Sequence, residues 1–138
     1  GLERTWFTGR VNILDALKEI DLLVLTSISE GQPLAILEGL ACKLPFVTTN
    51  VGDCGDLING SYDHYGQAGF VVPVMDYAGI ADSIVTLCHD HKMRRQYGRN
   101  GYKRVREKYT FKAFICGYQA IYSRLHDTRI TRDSYRGD

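Results

Sequence analysis

Three short runs of apolar and β-branched residues, each followed by a segment with helical spacing, constrain the fold of this chain most. The runs lie at residues 22–26, 46–49 and 68–73. The first is apolar without alternation, which is typical of a strand buried on both faces of a parallel sheet. Strands that alternate with crossover helices form a parallel α/β sheet with helices on its faces. The pattern therefore predicts one α/β domain over residues 1–126, with a mobile tail at 127–138.

The segments around these runs carry recognisable helix signals. Asn12 is a predicted N-cap for a helix over 13–20, after a short strand at 5–8. Pro33 fits the first position of a helix, and the apolar stripe of that helix is predicted to comprise Leu34, Leu37, Leu40, Ala41 and Leu44. A short helix or turn is predicted at 57–58, and further helices are predicted over 79–89, 92–108 and 111–126, the last with a marked apolar stripe.

The formal net charge of +1 conceals a strong segregation of charge along the chain. Residues 1–91 hold four basic side chains against twelve acids, a balance of −8, whereas residues 92–126 hold ten against one, a balance of +9. A basic stretch can bind nucleic acid. We instead predict a solvated helix face, or one beside a partner domain, because the basic residues wind around the helix rather than forming one stripe.

Composition excludes several other classes of protein. No run approaches the roughly 18 apolar residues of a membrane span, and no signal peptide is visible. The four cysteines lack paired or zinc-like spacing, which predicts reduced thiols and a cytoplasmic protein. His89 and His91 lack a third ligand, so no metal and no cofactor is expected. The chain begins at Gly1 rather than Met, which suggests a piece of a longer protein.

The loop at 29–33 is the most informative segment for function. It leaves a predicted buried strand and enters a helix, so its amides are the unpaired N–H groups that bind anions. Gly31 allows close approach of a ligand, and the Glu30 carboxylate can accept hydrogen bonds from hydroxyls. Glu38 lies roughly 12 Å further along the helix axis. Two carboxylates at this spacing suit the two ends of a nucleotide sugar; alternatively, Glu30 caps the helix and Glu38 is a solvated residue.

Several motifs in a fixed order favour the interpretation that Glu30 and Glu38 bind a nucleotide sugar. Residues 6–11, 21–26, 29–41 and 44–52 together resemble the carboxyl half of a retaining glycosyltransferase of family 4, whose E-x7-E signature is matched by Glu30 and Glu38. The sequence of residues 26–33 further resembles that of the family branch that builds bacterial exopolysaccharides of the Pel type. The sequence departs from the family at Lys43, where a glycine is usual.

The resemblance implies a GT-B architecture of two Rossmann-like domains, of which this chain is the donor-binding one. It implies that Glu30 is the catalytic residue at the donor sugar and that Glu38 binds the ribose hydroxyls. The remaining donor-binding residues would be Gly9, Arg10 and Val11 near the base, and Ser29, Gly31, Gln32, Pro33 and Leu34 near the diphosphate and sugar. The basic pair of the family, which neutralises the diphosphate, is expected upstream of Gly1.

The implied function is transfer of a hexose from a nucleotide sugar, UDP-glucose, to a glycan or polysaccharide acceptor. The acceptor would be bound by a missing amino-terminal domain, so the isolated piece is expected to be inactive. A membrane-associated biosynthetic complex is a further expected partner, and nucleic acid is not. The alternatives are a non-catalytic module that binds nucleotide sugars and, less favoured, a nucleotide-sugar epimerase.

Overall fold

The computed structural model describes residues 3–133, with side chains as far as Leu125. In chain order the elements are α1 (Ile13–Ala16), β1 (Leu23–Leu25), α2 (Leu34–Ala41), β2 (Phe46–Thr49), α3 (Cys54–Asn59), β3 (Gly69–Val72), α4 (Tyr77–His89), α5 (His91–Lys108) and α6 (Phe111–Asp133).

The three strands form one parallel sheet in the order β1-β2-β3. Leu23 lies opposite Phe46 in the register, and Phe46 lies opposite Gly69. Helices connect successive strands, so the predicted α/β architecture with a parallel sheet and flanking helices is confirmed.

The central and outer strands differ in burial. Every residue of β2 is buried, as its apolar run predicts. The prediction that the first run is buried on both faces is wrong, because Val24 in β1 is 41% exposed. In the described part of the chain β1 pairs with β2 alone and forms an edge of the sheet.

The segment before β1 departs most from the sequence prediction. No strand forms at residues 5–8, and Trp6 and Phe7 are 79% and 89% exposed. Aromatic and β-branched residues form a strand only where a neighbouring strand pairs with them, and within residues 3–133 none does. Asn12 does cap α1, since its side chain accepts the N–H of Leu14 at 3.0 Å, but α1 ends at Ala16 instead of residue 20.

Helix α2 packs inward with only part of the predicted stripe, since Leu40 and Leu44 are buried and Leu37 packs against the core. Its buried residues are Ile36, Gly39 and Leu40, while Leu34 and Ala41 are exposed. A Cβ atom on Gly39 would lie 2.2 Å from Cδ1 of Leu23, so the helix backbone contacts the sheet directly there. An apolar count overlooks a glycine as a contact residue, so the predicted stripe does not include Gly39.

The hydrophobic core lies between α2, the sheet and α3. It comprises Ile36, Leu40, Phe46, Cys54, Leu57, Ile58 and Ala68. Lys43, at the end of α2, has a φ of 64°, the left-handed backbone that favours glycine. This backbone conformation suits the glycine that the resemblance leads us to expect at this position.

Arg104 of α5 is 1% exposed and holds the segment after α3 in place. Its Nε donates to Oδ2 of Asp63 at 2.7 Å, and its terminal nitrogens donate to the carbonyl oxygens of Leu57 at 2.8 Å and Gly66 at 2.6 Å. This buried cation thus joins α5 to α3 and to the loop that leads into β3.

Helix α6 begins where predicted, at Phe111, and continues to Asp133, past the predicted end at residue 126. Its predicted apolar stripe is exposed, and comprises Phe111, Phe114, Ile115, Tyr118, Ile121, Tyr122 and Leu125. The end of the predicted mobile tail, residues 134–138, lies outside the described residues. None of the helices described is long and apolar enough to cross a membrane.

Candidate functional site

The loops that follow β1 and β2 lie side by side at the carboxyl edge of the sheet, where parallel α/β folds bind ligands. Two hydrogen bonds to backbone carbonyl groups join them. The hydroxyl of Thr49 donates to the carbonyl of Ser27 at 2.5 Å, and the amide of Asp53 donates to the carbonyl of Gly31 at 2.9 Å. The loop that carries Glu30 is therefore held by the strand and loop next to it.

Glu30 is half-buried and its carboxylate has a fixed partner. The hydroxyl of Ser27 donates to Oε1 of Glu30 at 2.6 Å. This contact restrains the carboxylate at the end of β1, and its second oxygen can accept a hydrogen bond from a ligand. Among the described contacts no N–H of α2 reaches the Glu30 side chain, so the alternative in which Glu30 caps the helix finds no support here.

Gly52 makes the close approach of the two loops feasible. Its φ is +48°, and a Cβ atom there would lie 2.3 Å from the carbonyl oxygen of Glu30 and 2.4 Å from that of Gly31. Only glycine fits both the left-handed backbone and this contact. Gly52 therefore belongs to the machinery that places Glu30.

The amino terminus of α2 faces the same region. Pro33 is the N-cap with no side-chain hydrogen bond, so the helix begins at Leu34, one residue later than predicted. Because no side chain caps α2, the first N–H groups of the helix remain available to an anion. Pro33 itself is buried, whereas Ser29, Gly31, Gln32 and Leu34 are exposed.

Gln32 links this terminus to the second loop. Its Nε2 donates to Oδ2 of Asp53 at 2.9 Å. Gln32 also lines a cavity of about 460 Å³, within the usual volume of a ligand pocket. The other lining residues are Leu34, Leu37, Lys108, Tyr109, Thr110, Phe111, Ala113 and Phe114.

Tyr109 adds a protonated hydroxyl group to this cavity. Burial raises the pKa of Tyr109 above its usual value of 10, and the carboxylates of Asp53 and Asp56 raise it further, against the opposing charge of Arg104. The phenol therefore stays neutral at physiological pH. The sequence prediction did not bring the junction of α5 and α6 to this place.

Glu38 is exposed in the second turn of α2. Among the described residues its carboxylate has no hydrogen bond or ion pair, which leaves it available to a ligand. Gly9, Arg10 and Val11 are exposed as well, with Gly9 at a φ of +62°. No hydrogen bond between residues 3 and 133 joins these three to the Glu30 loop, so their part in the site stays a prediction.

The sequence reasoning missed four residues that build the site: Ser27, Thr49, Gly52 and Asp53. Each lies at or just after the carboxyl end of a predicted strand, a position that points to the loops at 27–32 and 50–56 but not to the contacts between them. As for metals, the side chains described here include no group of three or more His, Cys, Asp or Glu placed to hold an ion. Asp90, between the two histidines, instead caps α5 by accepting the N–H of Met93 at 2.8 Å.

Comparison with known proteins identifies the family of this chain. The sequence profile of the family described as "Glycosyl transferases group 1" matches residues 1–90. N-acetyl-alpha-D-glucosaminyl L-malate synthase of Bacillus anthracis is 30% identical over 87% of this chain and 30% of its own length. An Escherichia coli enzyme, UDP-Gal:alpha-D-GlcNAc-diphosphoundecaprenol alpha-1,3-galactosyltransferase, is 32% identical over 59% of this chain and 20% of its own length.

A solved structure shows the same fold. Sucrose-phosphate synthase from Thermosynechococcus elongatus superposes with a TM-score of 0.77 at 22% identity, over 89% of this chain and 30% of that protein. This chain thus spans only 20–30% of the length of these relatives. The profile match covers well over half of the 138 residues, and the chain belongs to the group 1 glycosyltransferases.

Proposed function

We propose that this chain is the donor-binding domain of a retaining hexosyltransferase of family 4, with UDP-glucose as donor and a glycan or polysaccharide as acceptor. The observation that carries the proposal is the half-buried carboxylate of Glu30, held by Ser27 beside the uncapped start of α2. A carboxylate next to a helix amino terminus suits a ligand with hydroxyls at one end and an anion beside them.

Glu30 is the catalytic residue in this proposal, and it acts on the donor sugar. Retaining transfer passes through a state in which positive charge develops on the anomeric carbon and the ring oxygen. A carboxylate that binds the sugar hydroxyls interacts more favourably with that charge than with the neutral ground state. Such differential binding lowers the barrier instead of merely tightening the complex.

The amides at residues 31–34 and the dipole of α2 bind the diphosphate in this arrangement. The described side chains of the two loops supply no positive charge, and Lys108, which lines the cavity, already donates to the carbonyl of Tyr62. A basic pair from another part of the protein therefore completes the neutralisation. No metal ion is required by this scheme.

The nucleoside end of the donor lies toward Glu38 and residues 9–11 in the proposal. Glu38 accepts the ribose hydroxyls, for which its exposed and unpaired carboxylate is suited. Gly9, Arg10 and Val11 contact the base in this proposal, and all three are exposed to a ligand.

The names of the relatives bear on donor and acceptor. UDP-Gal in the name of the E. coli enzyme favours a uridine nucleotide, and its polyprenyl-linked acceptor favours work on a growing glycan at a membrane. We place the protein in the cytoplasm, where nucleotide sugars are the donors, with the acceptor bound by a second domain and in a membrane-associated biosynthetic complex. The Pel-type branch remains part of this proposal.

Titration calorimetry of the intact protein tests the proposal. UDP-glucose and UDP are expected to bind, with GDP-mannose much weaker, and labelled glucose is expected to pass from UDP-glucose to a glycan acceptor. Failure of every nucleotide sugar to bind would overturn the assignment of the site, whereas binding without turnover would identify a non-catalytic module.

A further inference from the structure

The outward face of α5 carries a straight row of basic side chains. Residues 92, 95, 99, 103 and 106 are separated by three or four positions, which at 100° per residue confines them to an arc of roughly 80°. With 1.5 Å per residue the row is roughly 21 Å long. All five are exposed, and this basic stripe consists of Lys92, Arg95, Arg99, Lys103 and Arg106.

The opposite face of α5 packs into the domain. A Cβ atom on Gly98 would meet the carbonyl of Lys43, and one on Gly101 would meet Leu40 of α2. Arg104 and Arg94 also point inward, to Asp63 and to the carbonyl groups at the end of α4. The prediction that the basic cluster winds around the helix is thus wrong for the exposed members, because packing removes the others from the surface.

The basic stripe forms no ion pair with the described residues. The ion pairs found there join Lys18 to Asp15, Arg94 to Asp21 and Arg104 to Asp63. The nearest acid along the helix, Glu107, accepts a hydrogen bond from the hydroxyl of Tyr65. Glu107 lies beside Lys103 and Arg106, so this one acid offsets part of the charge and the stripe keeps a large excess of positive charge.

Two shallow depressions lie along the stripe. The first has a volume of about 410 Å³ and is lined by His91, Lys92, Arg95, Gln96 and Arg99. The second has a volume of about 280 Å³ and is lined by Tyr65, Tyr102, Lys103, Arg106 and Glu107. Each depression therefore brings at least two cations to a concave surface, where an anionic headgroup can contact them together.

We propose that the basic stripe binds this protein to an anionic lipid surface. A row of five cations on a domain surface suits many small anions spread over a plane, and basic residues on one helix face are a recognised means of binding anionic lipids. The stripe itself has no apolar side chain to insert between lipids, so the binding is electrostatic and lies at the level of the headgroups.

Nucleic acid fits this surface less well. Base readout needs free amide or stacking groups, but Gln96 already donates to Asn100 at 2.8 Å. The ring of Tyr102 lies beneath Lys43 at 4.9 Å and Arg106 at 5.6 Å, and Lys103 covers Tyr65 at 5.9 Å. The aromatic groups along the stripe are thus engaged with cations.

Vesicle co-sedimentation with the intact protein tests this proposal and needs no sugar donor. The protein is expected to bind vesicles with equal parts of phosphatidylglycerol and phosphatidylcholine but not vesicles of pure phosphatidylcholine. It should dissociate from the anionic vesicles as the salt concentration rises. Each basic residue near an anionic surface strengthens binding about fivefold. The triple variant Lys92→Gln, Arg95→Gln, Arg99→Gln should therefore bind roughly a hundredfold more weakly.

The matched control is a triple variant that removes three positive charges outside the stripe: Arg4→Gln, Lys18→Gln, Lys112→Gln. It should bind anionic vesicles nearly as well as the parent. Thermal unfolding of both variants, followed by circular dichroism, verifies that they are folded. If the triple variant is unfolded, the single variant Arg95→Gln replaces it and should bind anionic vesicles about fivefold more weakly than the parent. Equal vesicle binding by the parent and the stripe variant would overturn the proposal. So would tighter stripe-dependent binding of duplex DNA than of anionic vesicles.

Discussion

Glu30 is the residue on which the proposed chemistry depends most, because its carboxylate is held by Ser27 before any ligand arrives. Glu30→Gln keeps the size of the side chain and an acceptor for Ser27 but removes the charge. We expect the donor to bind with nearly unchanged affinity while turnover falls by roughly a hundredfold to a thousandfold, the usual cost of losing one electrostatic contact to a transition state.

Steady-state kinetics and donor titration of the intact protein measure the two quantities separately. Glu19→Gln, an exposed acid in the turn after α1, is the matched control and should change neither. An equal loss of turnover and donor affinity in Glu30→Gln would mean that this carboxylate only binds the donor.

Glu38 presents the complementary case, an exposed carboxylate without a described partner. Glu38→Ala should weaken UDP binding about tenfold to a hundredfold, the usual effect of losing a charged hydrogen bond. Since the side chain is exposed and no hydrogen bond or ion pair of its carboxylate is described, the free energy of unfolding should change little. Titration with 2′,3′-dideoxy-UDP is the internal control: it should bind the parent and the variant alike. Unchanged UDP affinity would make Glu38 a solvated residue.

At the scale of elements, the two loops function as one unit because Gly52 lets them touch. Gly52→Ala introduces a Cβ atom 2.3 Å from the Glu30 carbonyl oxygen at a left-handed φ. A strained backbone of this kind costs about 1–3 kcal/mol, so we expect the free energy of unfolding to fall by about that amount and turnover to fall with it. Urea denaturation and kinetics measure both.

Gly117→Ala is the matched control for that substitution. Gly117 lies within α6 with open space around it, so alanine should leave stability unchanged or raise it by up to about 1 kcal/mol. If Gly52→Ala were as stable and as active as the parent, the contact between the loops would have no part in placing Glu30.

Elements fixed by local pattern were predictable, and those fixed by distant neighbours were not. The buried run of β2 and the long helix α5 are visible in the sequence because their signals are local. The strand expected at residues 5–8 fails because strand propensity needs a pairing partner. On helix α2 the apolar pattern finds Leu40 but not Gly39, because a glycine has no side chain to count, and yet the backbone of Gly39 contacts the sheet directly.

In the candidate site, too, local features were predictable from the sequence and contacts between distant residues were not. The Glu30 loop and Glu38 were found from motif and spacing, whereas Ser27, Thr49 and Asp53 act through contacts between separate loops. The ion pair of Arg104 with Asp63 joins residues 41 positions apart and leaves no local trace in the sequence. Such contacts are properties of the folded chain, so only the structure reveals them.

For the whole molecule, the Arg104–Asp63 pair governs how stability responds to acid. Burial alone would raise the pKa of Asp63, but hydrogen bonds from Arg104 and the Tyr65 amide, with the charges of Arg104 and Lys108, outweigh it and hold that pKa below the usual 3.8. The folded state therefore favours the ionised carboxylate. Its stabilising contribution is complete above pH 3.8 and is lost as the pH falls through the lowered pKa.

Asp63→Asn should remove that acid-dependent component and, at neutral pH, leave the buried Arg104 without a counter-ion. Breaking a buried pair in this way costs about 3–5 kcal/mol, and the loss should appear as unfolding of the whole domain because the pair joins α5 to α3 and the loop before β3. Asp15→Asn, which breaks an exposed pair with Lys18, should cost less than about 1 kcal/mol. Urea denaturation from pH 7 to pH 3 compares the two; similar small losses in both would show that Arg104 is held by the backbone carbonyl groups alone.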